Sequence, residues 1–271
     1  MQYCSTPAGG KFPPVADMRL LPIVDMNPNN LACIFSTLSF IEKQTQRLDI
    51  ETPCVTFDQP LWLKAVGIVQ SNQMNVVCRL GGFHVIMSFL GSIDHIMAGS
   101  GLVESLQCCY GPVSINHMMT GKAVARAIRA HFLAESSLFS LMMESLINLS
   151  SEETEESILL SHKDIEELKT VYNDFFTSSL TTNDLRFCHV IITNRVKMRR
   201  QCRTSRLWLQ YMDYVSVLKD FNTAERTSDW NLHIVSLTAM LNLFAASGHT
   251  HYAKSARLYL QIMSDLPTIY R

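Results

Sequence analysis

Three side chains stand where this sequence could do chemistry: Asp58, His84 and Glu225. Asp58 directly follows Cys54-Val55-Thr56-Phe57, a short β-prone run opened by Pro53. A carboxylate at the C-terminal end of a strand in a parallel sheet faces the crevice where ligands collect, so it can serve as a metal ligand. The same carboxylate, just ahead of Pro60, can instead cap a helix by accepting backbone N–H bonds. His84 comes early in the helix after Gly81-Gly82, a place for a packed, hydrogen-bonded ring or for a working imidazole. Glu225 follows Leu218 by seven residues and Phe221 by four, which puts it on the apolar stripe of its helix. Burying a carboxylate there is costly unless a cation neutralises it. Arg226, Lys219, a distant arginine or a metal ion would each suffice, or Glu225 lies at the boundary of the stripe. A fourth feature is the basic cluster Arg195, Lys197, Arg199, Arg200, Arg203 and Arg206. It reads as a solvated face, a nuclear-localisation patch or a surface that contacts phosphates. His249 and His251 flank Thr250 and suggest no definite role.

The elements that must position these groups follow from the apolar spacing. Residues 1–30 are rich in Pro, Gly and Asn and read as an extended lead-in. Leu31, Ile34, Phe35, Leu38 and Ile41 predict an amphipathic helix over 30–47 that Asn29 or Asn30 can cap. After the 54–57 strand, Leu61, Trp62, Ala65, Ile68 and Val69 give a second helix its buried face. Residues 75–80 predict a second strand, Gly81-Gly82 a turn, and 83–90 the start of a third helix. Strand, helix and strand within about 30 residues is the signature of a right-handed parallel crossover. Helical patterns then dominate, over 102–109, 121–149, 162–177, 206–226, 230–246 and 251–264. Gly248 suits a C-cap. The acidic run 152–156 reads as a solvated loop or a helix start.

Bulk composition narrows the classes. Apolar residues make up 47% of the 271 and charged residues 17%, below the roughly 25% charged residues of an average soluble domain. Such a chain has ample core and little solvated surface, which suits burial against a partner. The net charge of −1 gives no whole-molecule steering, so any nucleic-acid contact must be local. The eight cysteines form no CxxC pair and no zinc spacing. Cys33, Cys54 and Cys78 lie in apolar runs and read as small hydrophobes in a reducing, intracellular setting. No run of about 20 uncharged apolar residues is present, so no membrane partner is expected. The last residues, SDLPTIYR, close no element, which suggests a truncated product.

The order of strand, Asp, helix, strand and a motif ending in His resembles the second catalytic Asp and the (Cys/Asp)-x-x-His signature of Mutator-like transposases. The residues that carry it are VTFDQPLWLKAV around Asp58 and Leu80-Gly81-Gly82-Phe83-His84. TFDQPLW, GGFH, AERTSDW and HYAKSARLYL also resemble segments of transposon-derived proteins. The resemblance implies a mostly helical α/β fold: an incomplete ribonuclease-H-like βαβ core over 31–91 and 206–271, with an all-α insertion over 92–205. It implies catalytic roles for Asp58, His84 and Glu225. Asp58 and Glu225 would hold Mg²⁺ or Mn²⁺ for phosphodiester chemistry, and His84 would orient a ligand or the scissile phosphate. Arg195, Lys197, Arg199, Arg200, Arg203 and Arg206 would contact DNA phosphates without reading sequence. It further implies a nuclear location and a DNA partner. A second copy or another protein fits the low surface charge. Two departures stand against catalysis. Gly81 occupies the position where the family has Cys or Asp, and only Asp17 or Asp25 is placed to be the first carboxylate. The rival reading is a non-catalytic, mostly helical protein- or nucleic-acid-binding module in which Glu225 pairs with an Arg or Lys. A small-molecule α/β enzyme is weaker still, for want of a nucleotide loop or nucleophile elbow.

Overall fold

The computed structural model describes Leu20, residues 23–149, Ile191 and residues 195–269, with side-chain surroundings over 23–144 and 195–266. Helix α1 (Leu31–Gln46) starts where the Asn30 side chain accepts the Ala32 amide, and it turns Cys33, Ile34 and Leu38 inward. Strand β1 (Cys54–Phe57) is followed at once by helix α2 (Gln59–Asn72), with Pro60 in its first turn. Helix α2 stops at Gln73, which adopts a left-handed φ of 51° and returns its N–H to Gln70 and Val69. Strand β2 (Val77–Leu80) then pairs with β1 in parallel, in a register running from Cys54 opposite Val77 to Phe57 opposite Leu80. The β2 strand is two residues shorter than the 75–80 run suggested, because Asn75 is drawn off to bond Thr52, Glu51 and Glu42. Gly81 receives the end of the ladder, its N–H donating to Phe57 at 2.8 Å, and helix α3 (Gly82–Ile96) leaves from there.

A two-stranded sheet is too small to stand by itself. Here helices supply the cover. Trp62 of α2 is fully buried, and its indole N–H donates to the Cys78 carbonyl at 3.0 Å. The short helices α4 (Leu102–Gln107) and α5 (Pro112–Met119) lead into α6 (Val124–Leu149). The sequence reading has no counterpart of α5, whose eight residues are too few to show a helical period; Gly111-Pro112 marks its start. Helix α7 (Arg203–Thr227) packs on α3 and α6, and α8 (Trp230–Ala246) packs on α7 and α3. Helix α9 (Thr250–Ile269) closes over α8, α2 and β2, after Gly248 turns the chain at φ 79°.

Tyr211, Val215, Leu218 and Phe221 on α7 are all fully buried, as their spacing predicts. They join Trp62, Phe89, Phe244 and Tyr259 in one hydrophobic cluster that reaches from Ile34 to Met263. The chain is therefore mostly helical with one small parallel sheet. The boundary proposed after residue 91 falls inside α3, and α3 and α6 share this cluster with α7. Cys33 and Cys78 are buried as small hydrophobes, but Cys54 on the edge of β1 is exposed. Burial pushes the Cys78 thiol up to about 11, with nearby Cys54 adding to it. The helix predicted over 162–177 and the acidic run 152–156 lie outside the described residues. Among the described residues, no helix is long and apolar enough to cross a membrane.

Trp62 has both a full shell of apolar neighbours and a hydrogen bond to β2. Its replacement by alanine is expected to cost about 3–5 kcal/mol. Urea unfolding followed by far-UV circular dichroism measures this as a lower midpoint at unchanged slope.

Candidate functional site

Asp58 sits where β1 ends, and its Oδ1 accepts the Leu61 amide at 3.1 Å. It is the N-cap of α2, so the capping reading of this residue accounts for one carboxylate oxygen. Its charge also reaches Tyr252 on α9, whose hydroxyl bonds Ser88 and is pushed up first by burial and then by Asp58. Behind the cap, the buried amide of Gln59 donates to Ser255 at 2.8 Å and ties the start of α2 to α9. His84 lies in the first turn of α3, half-buried, with its ring edge-on to exposed Phe83 at 5.5 Å between centroids.

Glu225 reaches the same end of the sheet from the far end of α7. The close approach is built into Gly82: a methyl group there would collide with the Glu225 carboxylate. Arg79 of β2 donates to Glu225 Oε1 at 2.5 Å, and His233 Nδ1 of α8 lies 2.8 Å from the same oxygen. His233 Nε2 is 3.2 Å from the Tyr259 hydroxyl, which Arg79 also hydrogen-bonds. Trp230 stacks on His233 at 16° between planes, while Trp62 meets Tyr259 edge-on. The Glu225 side chain keeps 20% of its surface and Arg79 keeps 30%, so the pair is partly screened. Burial raises the Tyr259 phenol above its ordinary range and keeps it a neutral donor or acceptor.

The topology thus brings Asp58, at the end of β1, and Glu225, beside the start of α3, to the C-terminal end of one parallel pair. The chemistry of the donors differs from a metal cage. Oε1 of Glu225 is engaged by a guanidinium and an imidazole, which neutralise it without a metal ion. Among the described residues, no three or more His, Cys, Asp or Glu come together as a group able to hold a metal ion. Asp58, His84 and Glu225 do not make one. Asp25 is exposed in the lead to α1, and Asp17 lies outside the described residues. Among the described residues, the side chains at this end of the sheet do not fit a two-ion centre.

Neither neighbour of Glu225 stands out in the sequence. Arg79 alternates with apolar residues in a short strand, and His233 sits in an apolar helix, so neither has a motif around it. The only sequence signal was the need of Glu225 for a partner.

The basic segment is partly spent. Residues 195–201 are helical, and Arg195 donates to Asp213 at 2.6 Å while Arg199 pairs with the other Asp213 oxygen. Arg206 donates to the Arg199 carbonyl, holding the segment against the start of α7. Lys197, Arg200, Arg203 and Arg206 are exposed and make no carboxylate pair with the described residues. Cys202 caps α7, its thiol held below its ordinary range by hydrogen bonds from Ser205.

Two substitutions read out the clamp. Glu225→Ala is expected to cost about 1–2 kcal/mol, because it strands Arg79 and His233. Gly82→Ala is expected to cost more in the native chain than in the Glu225→Ala background. A double-mutant cycle by denaturant unfolding measures the difference.

No curated protein and no solved structure matches this chain. A family profile does match residues 2–270, which is nearly the whole sequence. The chain belongs to the family described as Domain of unknown function (DUF8702).

Proposed function

We propose that this chain is a non-catalytic, transposase-like DNA-associated module, a ribonuclease-H-like relic whose carboxylate position has become an ion-pair clamp. The observation that carries this reading is Glu225. It stands at the C-terminal end of the parallel strands, where such a core would place its last carboxylate, yet it is held by Arg79 and His233. A carboxylate used this way stabilises the junction of β2, α7 and α8 rather than a metal-bound nucleophile.

DNA contact, on this reading, rests on Lys197, Arg200, Arg203 and Arg206. Four exposed cations on one short stretch neutralise phosphates without reading base edges. Arg195 and Arg199 keep that stretch in place through Asp213. With a net charge of −1 the rest of the chain adds no general attraction, so the patch must supply the affinity.

Fluorescence anisotropy with two unrelated labelled DNA duplexes tests the reading. Both duplexes should bind equally, with log K falling against log salt at a slope of about −0.9 per phosphate contact. Changing Lys197, Arg200, Arg203 and Arg206 together to glutamine should remove binding, with the circular dichroism spectrum unchanged. Neither the native chain nor Asp58→Ala should cleave DNA in Mg²⁺ or Mn²⁺. Cleavage by the native chain and not by the variant would restore the catalytic reading. Absence of any DNA binding would favour a protein partner instead.

A further inference from the structure

A second buried carboxylate lies away from the strand ends. Asp94, in the last turn of α3, has 9% of its side chain exposed, and neither of its oxygens has a hydrogen-bond partner. The facing group is His131 of α6, 2% exposed, whose Nε2 is 3.5 Å from Asp94 Oδ1. That is too long for a firm hydrogen bond. The other ring nitrogen of His131, Nδ1, is 3.0 Å from the hydroxyl of fully buried Tyr211 on α7. Three helices that pack on one another thus each send one titratable group to a single buried point.

The surroundings offer this point little compensating charge. Glu135 of α6 lies near Tyr211 and is paired with Lys219 of α7, which also sits over the Phe132 ring. Helix α5 carries only His117, which is exposed. Helix α8 carries only His233, which is committed to Glu225.

We propose that Asp94, His131 and Tyr211 form a proton-linked latch that joins α3, α6 and α7 firmly in acid and loosens as the Asp94–His131 pair gives up its proton. With one proton on the pair, the site is either an imidazolium facing a carboxylate or a neutral acid facing a neutral imidazole. Both states carry no net charge, and in both Nδ1–H donates to the Tyr211 oxygen. When that proton leaves to solvent, the carboxylate is charged and Nε2 keeps its N–H towards it. Nδ1 then becomes an acceptor, so the Tyr211 hydroxyl must turn to donate. A net buried anion remains with one long contact.

Burial raises the Asp94 carboxyl above its ordinary value of 3.8, and His131 opposes the rise without cancelling it. A group with a raised value in the folded chain contributes full stability below its unfolded value. That contribution is lost as pH climbs through the folded value. The contribution of Asp94 to the latch is therefore present in acid and is lost as pH rises. Helix α7 carries the basic segment at its start and Glu225 at its end, so this joint sets how firmly both are held.

Thermal unfolding of the full chain and of Asp94→Asn between pH 4.5 and 8 tests the latch. The native melting temperature should fall by roughly 2–4 °C more than that of the variant across this range. Parallel curves would overturn the proposal. If Asp94→Asn does not fold, ¹³C carboxyl resonances of the native chain decide it. Asp94 should titrate above the exposed aspartates, and a midpoint at or below theirs would overturn the proposal equally.

Discussion

A carboxylate on the buried stripe of a 25-residue helix has to be neutralised, and much of this molecule is arranged around how Glu225 is. The neutralising cation comes from β2, so the far end of α7 is fastened to the sheet. His233 joins from α8 and passes the network on to Tyr259 of α9. One charged pair thereby links the sheet to the last three helices. A residue with a Cβ at position 82 would push the carboxylate away, so the start of α3 is shaped by the same contact. The pair is only partly buried, and its value lies less in Coulomb energy than in fixing which helix meets which strand.

That fixed meeting is what a small sheet requires. Two strands of four residues cannot bury both faces alone. Trp62 covers one side and reaches the Cys78 carbonyl, and α9 covers Trp62 through Tyr259. A second carboxylate–histidine–tyrosine set, Asp94 with His131 and Tyr211, joins α3, α6 and α7. The two sets differ in how well they are satisfied. Glu225 has two close donors, whereas Asp94 has one long neighbour and little solvent. The first is a structural clamp, and the second is sensitive to its proton.

Much of the fold was legible from local rules. Asn30, Pro60 and the apolar spacing of α1, α2 and α7 place those helices within about a turn of where they occur. The parallel pairing of β1 and β2 follows from the length of the crossover between them. Helix α5 was not legible, since eight residues carry too little periodicity. At the site, Asp58 and Glu225 stood out because each occupies a position that asks for a partner. Which partner each took was a matter of tertiary contact: a backbone amide for Asp58, and Arg79 and His233 for Glu225. Those two are 146 and 8 residues away from Glu225, and no local pattern marks either of them.

With Arg79 and His233 on its carboxylate, Glu225 has no need of a metal ion. Titration of the native chain with Mn²⁺, followed by the six-line electron paramagnetic resonance signal of the free ion, tests it most directly. Free Mn²⁺ should rise in proportion to the amount added, and Glu225→Gln should behave identically. Loss of the signal over the first one or two equivalents in the native chain, restored in Glu225→Gln, would contradict it.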